Sequence, residues 1–120
     1  MKKIEAAPVK PTISIKEFQK IDIRVGTIEN VENIEQADKL VKLRVNFGDH
    51  QRQILAGIKT ERVDPGEVVG RQALFVINLE PRKMMGAVSE GMLFDIGYAD
   101  DMMPVLAIPE SPVPNGARAG

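Results

Sequence analysis

The sequence predicts an all-β fold, a small closed barrel preceded by one short helix. Three observations lead there. Short apolar runs recur from residue 21 to residue 108, and several alternate with the period of a strand. Glycines, prolines and polar pairs separate them at close spacing, as turns do. The first strand carries a break in its alternation, and a long connection over residues 57–70 separates the third strand from the fourth. Strands in that arrangement match the OB-fold, a five-stranded Greek-key barrel.

The elements follow in order. Residues 1–12 hold Pro8 and Pro11 and lack periodicity, so they read as a tail. Ser14 and Glu17 have the spacing of a capping box, flanked by Ile13 and Phe18, which predicts a helix over 15–20. Ile21, Ile23 and Val25 then alternate with Asp22, Arg24 and Gly26, giving a strand that runs to about residue 31. The apolar parity flips to Ile28 after Gly26, which places a β-bulge at that glycine. Residues 32–38 are a polar loop. Val41, Leu43, Val45 and Phe47 alternate with Lys42, Arg44 and Asn46 as a second strand, and Gly48-Asp49-His50 turns it into a third over 52–56.

Asp64-Pro65-Gly66-Glu67 reads as a turn or a single helical turn. Residues 72–79 are apolar on both faces, as in a well-covered central strand. The stretch 78–92 reads as one long loop with a proline, the cations Arg82 and Lys83, Met84 and Met85, Gly86, Ser89 and Gly91. Loops of that length inside a compact domain are usually functional. A fifth strand over 91–97, a polar turn at Asp100-Asp101 and a short extra strand over 105–108 complete the body. Three prolines follow, and residues 117–120 are expected to fray. The ordered domain is therefore expected over 13–116.

Composition narrows the function. The chain has 120 residues, 43% of them hydrophobic, enough for one domain with a moderate core. Its 16 Lys+Arg against 17 Asp+Glu give a net charge of −1, which argues against a basic coat but leaves room for a local basic face. There is no cysteine, which excludes disulfides, thiol catalysis and cysteine-bound zinc. No signal-peptide pattern opens the chain and no apolar run spans a bilayer, so a cytoplasmic location is expected.

The single histidine, His50, sits at a hairpin tip, a poor place to hold a catalytic base, and no metal-ligand spacing is present. No catalytic residue, metal or cofactor is expected. Binding fits better. The ligand face of an OB-fold is formed by strands 2 and 3 and the loops beside them. That brings Lys39, Lys42, Arg44 and Arg52 near the loop cations Arg82 and Lys83. Lys42 and Arg44 alone would pass for the wet face of a strand; the loop cations beside them make a binding surface the better reading. Phe18, Phe47, Phe75 and Phe94 occupy apolar-patterned positions, leaving few aromatics to stack on bases. Recognition of a folded RNA by shape and phosphates fits that pattern. Ser89 serves equally well as a loop-fixing hydrogen bonder or as a ligand contact.

At these residues the chain resembles the EMAPII-like tRNA-binding domain. The resemblance rests on Asn78-Leu79-Glu80-Pro81-Arg82-Lys83-Met84-Met85-Gly86, on Ser89-Glu90-Gly91-Met92, and on Phe18 with Asp22-Ile23-Arg24-Val25-Gly26. Ala37-Asp38-Lys39-Leu40, Ala56-Gly57-Ile58 and Val68-Val69-Gly70 add to it, so that it covers about residues 15–116. It implies an OB-fold with added elements, homodimerisation, and binding of tRNA with little regard to amino-acid identity. It also implies association with methionyl-tRNA synthetase as a non-catalytic, beta-subunit-like factor. Lys39, Ser89 and Met92 map onto positions the family uses for RNA, and Arg82 and Lys83 onto its basic loop. Family members often carry serine where this chain has Ala56. The CsaA-like export chaperones share Arg24-Val25-Gly26, and a peptide-binding chaperone is the alternative; the Ser89–Met92 ending favours the tRNA-binding branch.

Overall fold

The computed structural model describes residues 6–59, 62, 64–97 and 102–120. Tyr98 and the expected turn at Asp100-Asp101 lie outside the described residues. Residues 6–12 run exposed and without regular structure into the first helix.

Helix α1 (Ile15–Phe18) begins as its cap requires: the Glu17 amide donates to Ser14 Oγ at 3.1 Å. It is shorter than the expected 15–20. After Phe18 the bonds tighten to the i→i−3 type, Lys20 N to Glu17 O and Ile21 N to Phe18 O. The Asn78 side chain then fastens the exit, donating to Lys20 O and accepting from Asp22 N at 2.8 Å. Satisfying those two backbone groups from outside leaves no reason for another helical turn.

Strand β1 (Ile23–Asn33) is the hub. It pairs antiparallel with β2 (Val41–Asn46) through its second half, and with β4 (Gln72–Val76) through its first. β3 (Gln51–Ala56) flanks β2, and β7 (Met92–Leu93) flanks β4. The sheet order β3-β2-β1-β4-β7 curls into an OB-like barrel, and the all-β expectation holds. The turn Asp64-Pro65-Gly66-Glu67 is a 3-10 turn over Pro65–Val68, with Asp64 as its N-cap.

The bulge lies three residues beyond its expected place. Gly26 is paired regularly with Ala73, whereas the β1–β2 register jumps from Ile28↔Val45 to Asn30↔Arg44. Glu29 is the extra residue. Gly26 is needed for closeness instead. A Cβ there would stand 2.5 Å from Val45 Cγ1 and 2.8 Å from Phe47 Cε1. The core closes on that bare backbone. Ile28, Leu43, Val45, Ile54, Val68 and Phe75 are fully buried, and Phe47 meets Phe75 edge to face at 5.6 Å. Phe18 and Phe94 depart from their apolar-patterned expectation and stay partly exposed.

Three further expectations change. The long loop contains a hairpin, β5 (Arg82–Met84) and β6 (Ala87–Ser89), turned by Met85 and Gly86 at φ 50° and 80°. Two positive φ values in a two-residue turn are the type I′ geometry that matches strand twist. The fourth strand ends at Val76, since Asn78 is occupied by the helix exit. The strand expected over 91–97 splits into β7 and β8 (Asp95–Ile96), and β8 pairs with β9 (Val105–Leu106).

The C-terminus, expected to fray, is ordered as β10 (Arg118–Ala119) against Ile23 and Arg24. Asp22 holds it, accepting from Arg24 Nε at 2.8 Å and Arg118 Nε at 3.3 Å. The apolar signal for this strand was missing because it lies at a sheet edge and is fixed by main-chain bonds and charge. No helix among the described residues is long and apolar enough to cross a membrane.

Candidate nucleic-acid interface

Strand parity sorts the expected site residues. On β2, Val41, Leu43 and Val45 point into the core, so Lys42 and Arg44 point outward. On β3, Ile54 and Ala56 point inward and Gln53 outward. Register aligns Asn30, Arg44 and Gln53 in one row across three strands, with Glu32 and Lys42 paired in the next. Lys42 Nζ stands 3.9 Å from a Glu32 carboxylate oxygen, a loose pair. The Arg44 side chain is exposed and has no ion-pair or hydrogen-bond partner among the described residues.

Arg52 falls on the other parity. It shares the inward side with Ile54 and closes the end of the barrel. Its Nη1 donates to Ile77 O at 2.7 Å and Glu90 O at 3.1 Å, and its Nε to His50 Nε2 at 2.9 Å. The guanidinium is thus committed to three backbone or ring acceptors, and the structure separates it from the face of Lys42 and Arg44.

The β5–β6 hairpin joins that face through Gln53, whose Nε2 donates to Val88 O at 2.9 Å. Val88 pairs with Lys83, and Arg82 pairs with Ser89. The side chains of Arg82 and Lys83 are exposed, with no ion-pair or hydrogen-bond partner among the described residues. Ser89 is buried, 3% exposed. Its Oγ accepts from Leu55 N at 3.0 Å and donates to Gly91 O at 2.8 Å. No backbone ladder joins β3 to β7. Ser89 and Glu90 close that seam, the latter through Glu90 N to Gln53 O at 2.8 Å and Glu90 Oε1 from Gln53 N at 3.1 Å. Ser89 therefore takes the loop-fixing role of its two sequence readings.

Arg82 and Met92 line a large cleft of about 650 Å³, with Leu55, Leu93, Phe94 and Asp95. Burial pushes the Asp95 carboxyl up from its ordinary value. Lys39 stands exposed on the 34–40 loop, which Lys59 ties down. Lys59 Nζ donates to Ile34 O at 3.0 Å and Ala37 O at 2.8 Å, and its amide donates to Lys39 O. Gln53, Lys59, Glu90 and Asn78 were missed as site-building residues. Asn78 and Glu90 stand in the motifs of the family resemblance without a stated role, and Gln53 and Lys59 show only a polar side chain beside apolar runs, which many wet positions share.

Comparisons with known proteins give the family. The chain matches the family model described as "Putative tRNA binding domain" over residues 23–118. It belongs to the tRNA-binding domain family. Among solved structures similar to this tRNA-binding domain is a MetRS related protein from Pyrococcus horikoshii. It is 35% identical with a TM-score of 0.85, the match covering 92% of this chain and 100% of that one. The CsaA chaperone protein from Picrophilus torridus is 27% identical with a TM-score of 0.79, covering 91% and 100%. The C-terminal domain of Plasmodium vivax p43 is 28% identical with a TM-score of 0.72, covering 82% of this chain and 58% of that chain.

Proposed function

We propose that this tRNA-binding domain holds folded tRNA on the outer face of β2–β3 and the β5–β6 hairpin. Lys39, Lys42, Arg44, Arg82 and Lys83 contact phosphates and Met92 lies against the RNA at the neighbouring cleft, while Ser89 and Arg52 shape the surface from within. The observation that carries the reading is the set of free cations. Arg44, Arg82 and Lys83 have no acidic partner among the described residues of a chain whose net charge is −1, and Gln53 binds the elements that present them. Contacts of that kind read backbone geometry and carry little sequence information.

We further propose a role as an accessory of methionyl-tRNA synthetase, in keeping with the likeness to the MetRS related protein, and within this proposal the chain acts in the cytoplasm without catalysis of its own. Apolar side chains left in the open support homodimerisation as part of this proposal. Ile13, Ile15 and Phe18 lie at the N-terminal helix, and Ile96, Val105 and Ile108 lie around the β8–β9 pair. Fluorescence anisotropy with labelled tRNA near physiological salt tests the proposal. Binding that weakens in Arg82→Ala/Lys83→Ala supports it, and absence of binding refutes it.

A second reading, peptide binding, is favoured by the larger cleft, where Leu55, Met92 and Phe94 surround Asp95 and Arg82, and by the likeness to the CsaA chaperone protein. Suppression of aggregation of an unfolded client, with no RNA binding, would select it.

A further inference from the structure

The outer face holds a smaller cleft that phosphate contacts do not explain. It has a volume of about 240 Å³ and is lined by Asn30, Glu32, Lys42, Leu43, Arg44 and Gln53. Resting on the tRNA-binding reading above, we infer that this cleft receives one unpaired nucleotide of the bound RNA. Its base edge meets Glu32 and Asn30 and its phosphate faces Arg44.

The bulge makes the cleft. Ile28 points into the core, and by plain alternation Asn30 and Glu32 would follow it there. The extra residue Glu29 reverses the parity. Val31 then packs against the core, and Asn30 and Glu32 turn out to lie beside Arg44 and Lys42. A break in the longest strand thus places an amide and a carboxylate in the middle of a basic face.

That carboxylate indicates which part of an RNA fits. A surface built only to track phosphates gains nothing from Glu32, which repels them. A base does gain, because a carboxylate accepts hydrogen bonds from ring and exocyclic N–H groups. Within a duplex those donors are engaged by pairing; in an unpaired nucleotide they are free. Guanine offers two adjacent donors on that edge, which the two oxygens of one carboxylate accept in parallel.

Existing contacts leave room for a ligand. Asn30 Nδ2 reaches Glu32 at 3.4 Å and Lys42 reaches it at 3.9 Å, both long, and Arg44 is unpartnered among the described residues. Gln53 directs its amide nitrogen to Val88 O, so its side-chain carbonyl oxygen, which meets no donor among the described residues, remains an acceptor for the base or sugar. No aromatic side chain lines the cleft, so recognition there is by hydrogen bonding without stacking.

The test uses the full chain and three labelled RNAs at one fixed salt concentration. These are a hairpin with guanosines in its loop, the same hairpin with uridines there, and a blunt duplex with the same number of phosphates. The guanosine hairpin should bind about tenfold more tightly than the duplex, the size expected of one well-made base contact. Glu32→Gln and, independently, Asn30→Ala should shrink that ratio, with thermal melting showing both variants folded. Equal affinity for all three RNAs, or a ratio unchanged in both variants, overturns the inference and leaves the phosphate-face proposal standing. No binding of any of the three removes both.

Discussion

Ser89 shows how much a single side chain decides here. Its hydroxyl is the partner of the Leu55 amide across the seam where no ladder forms. Ser89→Ala leaves that buried donor unsatisfied, so a loss of about 1–3 kcal/mol is expected in urea unfolding. Unchanged stability would show that the seam is held elsewhere. Gly26 is the second such position. Gly26→Ala drives a methyl group to 2.5 Å from Val45 Cγ1, and a loss of about 1–3 kcal/mol is expected by the same measurement. The sequence reveals these two unequally. A glycine at a change of parity shows that something is special, but bulge and close approach give the same pattern. Ser89 gives no local pattern, because its partners lie 34 residues back and two ahead. Arg52 was misplaced for a related reason: after a turn of uncertain length, an alternating strand does not say which face its first cation takes.

At the scale of elements, the central strands were legible because they bury one face and alternate. β2 and β3 occur within a residue of their expected limits. The hairpin inside the expected loop was not, since three-residue strands beside solvent carry no alternation to read. Met85 at φ 50° also hides a turn that usually announces itself by Asn or Gly at both central positions. β10 depends instead on Asp22. The hydrogen bond from Arg24, with a further one from Arg118, holds this carboxyl below its ordinary value against the opposing effect of burial. A depressed folded-state value stabilises the fold above the unfolded-state pKa and loses that contribution as pH falls through the folded-state value. β10 should therefore loosen as pH falls through the depressed folded-state value of Asp22, below the range where an ordinary aspartate protonates. Protection of the β10 amides, measured against the intrinsic exchange rate at each pH, should fall there, and Asp22→Asn should show low protection already at neutral pH. Exchange in Asp22→Asn equal to that of the unaltered chain would show that main-chain pairing alone holds the strand.

Across the whole molecule, a chain with net charge −1 leaves the side chains of Arg44, Arg82 and Lys83 unpaired among the described residues, and it leaves apolar side chains open at the helix and the β8–β9 pair. The apolar set predicts a dimer at micromolar concentration in sedimentation equilibrium, and Val105→Asp with Ile108→Asp should shift it to monomer; a monomeric unaltered chain would contradict this. The cationic set predicts the mode of RNA binding. The most direct measurement is the slope of log affinity for tRNA against log salt concentration, for the unaltered chain and for Arg82→Ala/Lys83→Ala. Each phosphate contact removed should flatten that slope by about 1, so the double variant should be flatter by about 2. Identical slopes for the two proteins would contradict the assignment of the hairpin cations to the RNA backbone.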